Sequence, residues 1–306
     1  TPQGDYVYAT VTEGGRPAGA VLAEVFPQMI AAMSFPKSMR WGSHDFRFAR
    51  PIRWILALLG TEVIAFDTHA VSSGRMTWGH RTLAPGAYEI RSAEEYLPRL
   101  HELGVMADPE ERAESIRRQA DGLASSIGGQ AVIDPELLEE VTFLVEWPRA
   151  FVGRFAEDYL DLPQACVITP MKDHQRYFPV RDAQGDLMPA FIGVRNGGDH
   201  AIDVVRAGNE RVLAARLADA RFFYEEDMKR PLAERVDDLR GVVFQERLGT
   251  MYEKAVRIGR LASELLLGAP EAALAERTAL LAKTDLVTSV VREFTELQGV
   301  MGREYA

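Results

Sequence analysis

Several cations cluster around one apolar stretch of the sequence, where they could bind a polyanion. Residues 171–196 hold two short runs rich in aromatic and branched residues around a polar, Gly-containing turn, which predicts a β-hairpin at 176–196. Lys172, Arg176 and Arg195 lie near the ends of this unit. They fit two interpretations: solvated cations at the rim of a core hairpin, or a rigid platform that presents cations to a phosphate backbone.

A second basic group occurs earlier, where a loop combines cations with an aromatic residue. Residues 35–42 interrupt a helical pattern and contain Lys37, Arg40 and Trp41. Such loops suit RNA, because Arg binds phosphate and an aromatic ring stacks on a base. The other interpretation is a loop beneath which Trp41 simply packs. Further candidates are Arg50, Arg53, His80 and Arg81.

The common enzyme motifs are absent from the sequence. It contains no G-x-x-x-x-G-K-[ST], G-x-G-x-x-G, H-E-x-x-H or G-x-S-x-G. The six histidines never occur three or four residues apart, so no helical metal site is predicted. Cys166 lacks the context of a nucleophile and is expected to be a buried apolar residue. Lys172, Asp173 and His174 could form an acid–base group, although adjacent side chains point in different directions.

Charge is distributed unevenly along the chain, which has a formal net charge of −10. In residues 35–91, eight basic residues accompany four acidic ones, whereas in residues 92–162 six basic residues accompany 16 acidic ones. A protein that binds a polyanion on one face and solvates the other would have this pattern, but so would two ordinary surfaces.

Length and composition indicate an ordinary globular protein. The 306 residues suffice for about two domains, and 47% are apolar and 26% charged. A single cysteine excludes an intrachain disulfide and fits a reducing compartment. No apolar run approaches the roughly 20 residues of a membrane span. We therefore expect a cytoplasmic protein and, since both ends look cut, an internal piece of a longer polypeptide.

Apolar spacing predicts the elements that would position the basic residues. Residues 18–33 have helical spacing despite Pro27. Residues 48–60 read as a strand with Trp54 on its apolar face, paired with residues 62–72.

Helix start signals are strong in the next part of the chain. Asp108-Pro109 and Asp134-Pro135 each place a cap before a proline at the first helical position. Further helices are predicted at 202–227, 248–267 and, with a break, 272–297. Arginines recur every fifth residue in the first of these, which scatters them around the axis. Because Glu210, Asp219, Glu225 and Glu226 lie among them, we expect mostly intramolecular ion pairs, with about two of the four arginines free for a ligand. These arginines are Arg206, Arg211, Arg216 and Arg221.

Short blocks along the chain resemble the β subunit of bacterial heterotetrameric glycyl-tRNA synthetase. They are FPKSMRWG (35–42), ARPI (49–52), GHR (79–81), LVEWP (144–148), MK with Q and YFPV (171–180), GNE (208–210), RLADA with FF (216–223), LGT (248–250), and EFT with QGVMG (293–302). Each block is weak alone, but together, in the family's order, they are specific.

The resemblance implies an α₂β₂ ligase that joins glycine to tRNA(Gly) using ATP with Mg²⁺. It places the class II catalytic core, with the ATP and glycine sites, in the α subunit. The β subunit would bind tRNA and support activity. This chain is then expected to have no catalytic residue, to bind no metal or cofactor itself, and to have the α subunit and tRNA, but no membrane, as partners.

The resemblance also implies an α+β multidomain fold. A mixed α/β part, residues 1–243, would resemble the B3/4-type domain of phenylalanyl-tRNA synthetase. Residues 244–306, after a boundary near Phe244, would begin an all-α HD-type domain. Thr284-Asp285 stands where an active HD domain carries His-Asp, so we expect a scaffold and no metal-dependent hydrolysis.

Three hypotheses follow. The first is a non-catalytic, tRNA-binding subunit whose contacts come from the candidate residues Lys37, Arg40, Trp41, Arg50, Arg53, His80, Arg81, Lys172, Arg176 and Arg195. The second is an editing-type hydrolase of mischarged tRNA, although glycine's small size makes editing less necessary. The third is a purely structural assembly subunit.

Overall fold

The structure, a computed structural model, describes residues 7, 9, 10, 14–68 and 71–306. It divides into two units, Thr1–Ala107 and Asp108–Ala306. The predicted boundary near Phe244 lies inside the second unit and does not coincide with this division. In the described part of the chain, every helix is too short or too polar to cross a membrane.

The first unit combines two helices with short paired strands. Its described elements are α1 (Ala18–Ala32), β1 (Ile55–Leu56), β2 (Leu58–Leu59), β3 (Glu62–Val63), β4 (Ser73–Gly74), β5 (Met76–Trp78), β6 (Ala87–Glu89), a 3₁₀ turn (Ala93–Glu95) and α2 (Tyr96–Glu102). Strands β1 and β4 pair in parallel, whereas β2–β3 and β5–β6 are antiparallel. Apolar residues of α1 pack on a small core around Ile64 and Phe66.

The prediction of one long strand over residues 48–60 is wrong in its length. The strand is reduced to β1 and β2 because the chain changes partner at Ala57, whose N–H donates to Gly74 and whose carbonyl accepts from Ile64. The predicted pairing with the following segment is confirmed at β2–β3. Trp54, expected on a buried face, lies outside any strand and is exposed.

The second unit is larger and contains the predicted hairpin. Its elements are α3 (Pro109–Ser126), β7 (Gln130–Ala131), α4 (Pro135–Leu144), β8 (Pro148–Arg154), a 3₁₀ turn (Glu157–Asp161), α5 (Gln164–Thr169), a π-helical turn (Pro170–His174), β9 (Phe178–Arg181), β10 (Leu187–Asn196), α6 (Ile202–Met228), a 3₁₀ segment (Leu232–Gly241), β11 (Val243–Gln245), β12 (Gly249–Thr250), α7 (Met251–Leu265), α8 (Ala272–Leu281), a 3₁₀ turn (Thr284–Val287), α9 (Ser289–Glu293), a 3₁₀ turn (Thr295–Leu297) and α10 (Val300–Tyr305). The mixture of helix and sheet agrees with the expected α+β class.

An antiparallel sheet in the order β7-β9-β10-β8 forms the centre of the second unit. Alternation along β10 sends Phe191 into the core formed with α5 and α6. Its neighbours Ala190 and Ile192 enter the core formed with α3 and α4. The sheet is therefore buried on both faces between helices, and the hairpin prediction is confirmed.

Two glycines on adjacent strands make room for aromatic rings. Gly153 stands opposite Phe191, and Gly193 stands opposite Phe151. A Cβ at Gly153 would lie 2.2 Å from Phe191 Cζ, and one at Gly193 would lie 2.4 Å from Phe151 Cζ. The rings can therefore lie across the sheet only because these positions lack side chains.

Both predicted helix caps are confirmed. The Asp108 carboxylate accepts a hydrogen bond from Glu110 N–H at 2.8 Å, and the Asp134 carboxylate accepts one from Leu137 N–H at 3.0 Å. Each satisfies an amide at a helix start that would otherwise lack an acceptor.

The last predicted helix is more broken than expected. Thr288 caps a new helix, α9, through Val291 N–H. The core around Phe191 also includes Val290 of α9, Phe294 directly after that helix, and Met301 of α10. The end of the chain thus shares a core with the sheet, and the B3/4-like and HD-like assignments stay predictions.

Candidate nucleic-acid interface

The loop that carries Lys37 and Arg40 is closed by a short backbone bridge. Met39 N–H donates to the Phe48 carbonyl at 2.9 Å, and Phe48 N–H donates back at 3.2 Å. Trp41 is half-buried and packs edge-on against Phe46, with ring centroids 5.7 Å apart. The ring thus helps to fold the loop, while Lys37 remains exposed.

Four exposed cations of the first unit, which we name the open basic set, have no partner among the residues described. They are Lys37, Arg50, Arg53 and Arg81. Neither an ion pair nor a side-chain hydrogen bond joins them to the described part of the chain. Arg40 is similar, since its nearest carboxylate, on Asp45, is 3.9 Å away and fully exposed. Such a pair contributes at most about 1 kcal/mol, and it leaves the guanidinium accessible.

His80 has a structural position. Only 2% of the residue is exposed, and Nδ1 accepts hydrogen bonds from the N–H groups of Thr82 and Leu83, both at 3.3 Å. An Nδ1 that accepts from two amides carries no proton in this arrangement. The ring stabilises its own turn and offers no surface to a ligand, whereas the neighbouring Arg81 is exposed. The predicted tRNA contact of His80 stays a prediction that would require this turn to open.

Lys172, at the hairpin's entrance, is held by a helix cap. It lies in the π-helical turn after α5, and its Nζ is 2.9 Å from Oδ2 of Asp134. The Leu137 amide and then Lys172 lower the pKa of Asp134 by hydrogen bonding to its charged form. The same carboxylate raises the pKa of Lys172. This cation is engaged within the molecule.

The other two hairpin cations are also engaged. Arg176, whose φ of 60° is left-handed, places Nε 2.5 Å from Oε1 of Glu140 on α4, in an ion pair without hydrogen-bond alignment. Arg195 donates from Nη1 to the His200 carbonyl at 2.8 Å. The predicted contacts of Lys172, Arg176 and Arg195 with tRNA stay predictions that would require these partners to be exchanged.

The arginines of α6 are mostly paired, as predicted, but their carboxylate partners are not the four acidic residues that were expected. Arg206 pairs with Asp203 at 2.8 Å, Arg216 with Glu293 at 3.8 Å, and Arg221 with Asp158 at 2.7 Å. The fourth, Arg211, is exposed and has no ion pair within the described residues. It resembles the open basic set, and Arg118, Arg154 and Arg292 of the second unit are likewise exposed without an ion pair among the described residues.

Sequence reasoning missed a pair of exposed tryptophans in the first unit. The rings of Trp54 and Trp78 lie 4.6 Å apart between centroids, with a 41° tilt. Trp54 was expected in a core, and Trp78 had no predicted role. The available signal was their proximity in sequence to cations, because Trp54 follows Arg53 and Trp78 precedes Arg81 by three residues.

The residues weighed for catalysis have other surroundings. Cys166 is buried, and burial raises its thiol pKa to about 12, so it stays protonated. His174 stacks on Phe294, with centroids 5.6 Å apart. Asp285 is buried, and its Oδ2 accepts from the Gly299 and Gly302 amides. Within the described residues, no three His, Cys, Asp or Glu side chains are grouped to hold a metal ion.

Comparisons with known proteins point to a single family along the whole chain. The family model described as glycyl-tRNA synthetase beta subunit matches residues 1–306. Proteins named glycine–tRNA ligase beta subunit are 54% identical in Moorella thermoacetica, 52% in Desulforudis audaxviator and 49% in Clostridioides difficile. Each alignment covers 99% of this chain and 44% of the relative, so the chain spans less than half the length of these curated relatives. With the whole chain matched, this protein belongs to the glycyl-tRNA synthetase beta subunit family.

Proposed function

We propose that this chain is the tRNA-binding part of a glycine–tRNA ligase β subunit. It supports ATP-dependent glycylation carried out by a separate α subunit, and it contributes no catalytic residue. The observation that carries the proposal is the open basic set: several exposed cations without carboxylate partners among the described residues, in a member of this family.

Uncompensated cations are suited to a phosphate backbone. Each contact with a phosphate releases condensed counterions, so it adds affinity that depends strongly on salt. A folded tRNA presents phosphates and 2′-hydroxyls along a shallow minor groove, which a protein reads by shape. We assign these contacts to the open basic set and Arg40, with Trp41 bracing the loop that carries Lys37 and Arg40.

The two subunits would also differ in the ligands that they bind. ATP with Mg²⁺ and glycine belong, in this proposal, to the α subunit, in an α₂β₂ assembly in the cytoplasm. On the β side, the cations of the second unit are a weaker part of the interface. RNA would have to displace Asp134 from Lys172 and Glu140 from Arg176 before contacting them.

Salt dependence of tRNA(Gly) binding tests the proposal. We expect Arg40→Ala and Arg50→Ala each to make the negative slope of log affinity against log salt shallower by about 0.7–0.9 units. Arg206→Ala is the matched control, because it removes an arginine of α6 that already pairs with Asp203 at 2.8 Å, and it is expected to leave the slope nearly unchanged.

Two outcomes would contradict the proposal. Unchanged affinity and slope in both first-unit variants would remove the assigned contacts, and absence of tRNA protection in footprinting would favour a purely structural subunit. A second assay incubates the chain with alanyl- or seryl-tRNA. Catalytic release of the amino acid there would favour an editing hydrolase.

A further inference from the structure

The ring pair of Trp54 and Trp78 is held on the surface of the first unit. Along β5, Thr77 is buried, whereas Met76 and Trp78 face outward. Trp54 is 38% exposed and Trp78 is 37% exposed, although tryptophan is usually well covered in a folded chain. Two adjoining indoles and a methionine thus form an exposed apolar patch, which typically marks a binding site.

Local geometry fixes Trp78 in this position. It stands opposite Ala87 in the β5–β6 pair, so a small side chain faces the ring. Gly79 follows at once, and a Cβ there would lie 2.7 Å from the Ala84 carbonyl oxygen. The chain can therefore turn tightly after Trp78 only with glycine. The ring is held on a short hairpin ahead of binding, which lowers the entropy lost when a ligand stacks on it.

Cations close to the ring pair in sequence favour a polyanion as its ligand. Arg53 precedes Trp54 directly, Arg81 lies three residues after Trp78, and both belong to the open basic set. Neither indole N–H has an acceptor within the part of the chain that the structure describes, so both can donate to a ligand. Aromatic rings beside unpaired arginines are the usual means of binding unpaired nucleotides.

We propose that Trp54 and Trp78 form a stacking platform for an unpaired base of RNA, with Arg53 and Arg81 binding the flanking phosphates. The platform rests on the proposed tRNA-binding function and adds a feature to it. The open basic set follows the backbone of a folded RNA, whereas the platform selects a segment whose bases are free to stack.

Two RNA probes separate these contributions: a short blunt-ended stem–loop, and the same stem–loop with a few unpaired nucleotides at its 3′ end. The chain is expected to bind the extended probe more tightly. Trp54→Ala and Trp78→Ala should each weaken binding of the extended probe on the order of tenfold, with little change for the blunt probe. Phe222→Ala, which truncates an exposed ring of α6, is the control and should change neither.

Intrinsic fluorescence reports on stacking directly and covers the case of a misfolded alanine variant. Trp54→Phe with Trp78→Phe keeps two rings in place and should retain most of the preference for the extended probe. The additional quenching of tryptophan emission by the extended probe, relative to the blunt probe, should disappear in this double variant. Trp147→Phe, in the second unit, should keep the quenching.

Three results would overturn the platform. If the alanine variants bind the extended probe like the unsubstituted chain, the platform is wrong while tRNA binding stands. If the unsubstituted chain binds neither probe, both proposals fail. If the variants keep RNA binding but lose association with the α subunit, the patch is a protein-docking surface instead.

Discussion

The candidate cations of the first unit and the hairpin cations of the second unit have different surroundings. In the first unit, Lys37, Arg50, Arg53 and Arg81 are exposed without partners among the described residues. In the second, Lys172 pairs with Asp134 and Arg176 pairs with Glu140. Arg195 donates to a backbone carbonyl. The acid-rich segment 92–162 supplies those two carboxylates. Two carboxylates of one segment therefore neutralise two hairpin cations, which leaves those cations less available to a polyanion than the open basic set.

The largest effect is expected at a buried carboxylate with several hydrogen-bond donors around it. Asp227 is 3% exposed, and its carboxylate accepts from the Ser289 and Val290 amides and from the Tyr305 hydroxyl at 3.0 Å. It also faces Arg235 at 3.6 Å. Asp227→Ala would leave these groups without their acceptor and should lower the free energy of unfolding by about 3–5 kcal/mol.

Urea denaturation of the whole chain measures this loss. Asp219→Ala, on the exposed side of α6, is the control and should change the free energy by less than about 0.5 kcal/mol. A similar small change for Asp227→Ala would mean that the second unit does not depend on its buried charges.

The next effect concerns binding. Simultaneous replacement of the open basic set by alanine should lower the salt slope of tRNA binding by about three to four units and weaken binding about a hundredfold or more near 0.1 M salt. The free energy of unfolding should hardly change, because these exposed side chains make no ion pair or side-chain hydrogen bond with the described residues.

Replacing Lys172 together with Arg176 provides the matched comparison. Titration of labelled tRNA(Gly) should show a much smaller loss for this double variant, since carboxylates already neutralise both cations. A larger loss than for the first-unit variant would reverse the contrast between the two units.

Acid should remove a smaller contribution from the second unit. Asp134→Ala loses a helix cap and should reduce stability by about 1–2 kcal/mol at neutral pH. The folded-state pKa of Asp134 lies below its ordinary value of 3.8, so its stabilisation is complete above that value and declines as pH falls through the folded-state pKa.

Urea denaturation of both proteins from pH 7 to pH 2 checks the sign. The difference between them should be constant near neutrality and shrink at the acid end. A difference that grows on acidification would contradict the assigned pKa direction.

The smallest effect is expected at Glu140. Glu140→Gln removes the charge that pairs with Arg176 and should lower the free energy of unfolding by less than about 1 kcal/mol, because the pair is partly exposed. The tRNA salt slope should stay the same. A slope that becomes steeper by about one unit would mean that Arg176 can contact the RNA and that Glu140 prevents this contact in the native protein.

Local features were accessible from the sequence. The caps at Asp108 and Asp134, the hairpin and the long helix α6 each follow from neighbouring residues, whose side chains and turn preferences act over a few positions. The resemblance of the blocks also identified the family without any coordinates.

Contacts between distant segments were not accessible. Trp54 looked like a core residue because its alternation suited a strand, but the segment changes partner at Ala57 and the ring emerges beside Trp78. His80 looked like a surface cation, yet its ring is buried within its own turn. Pattern gives the polarity of a position, whereas burial depends on which segment arrives to cover it.

The amino-acid sequence thus dictated where helices start, which segments pair nearby, and how many cations the chain carries, since these depend on short-range sterics and composition. Which cations stay uncompensated depended on folding. Lys172 meets Asp134, 38 residues away, and Arg176 meets Glu140, whereas Arg53 meets no carboxylate of the described chain. Coulomb energy falls off with distance, so the pairing of charges is set by the packing that brings them within a few ångströms.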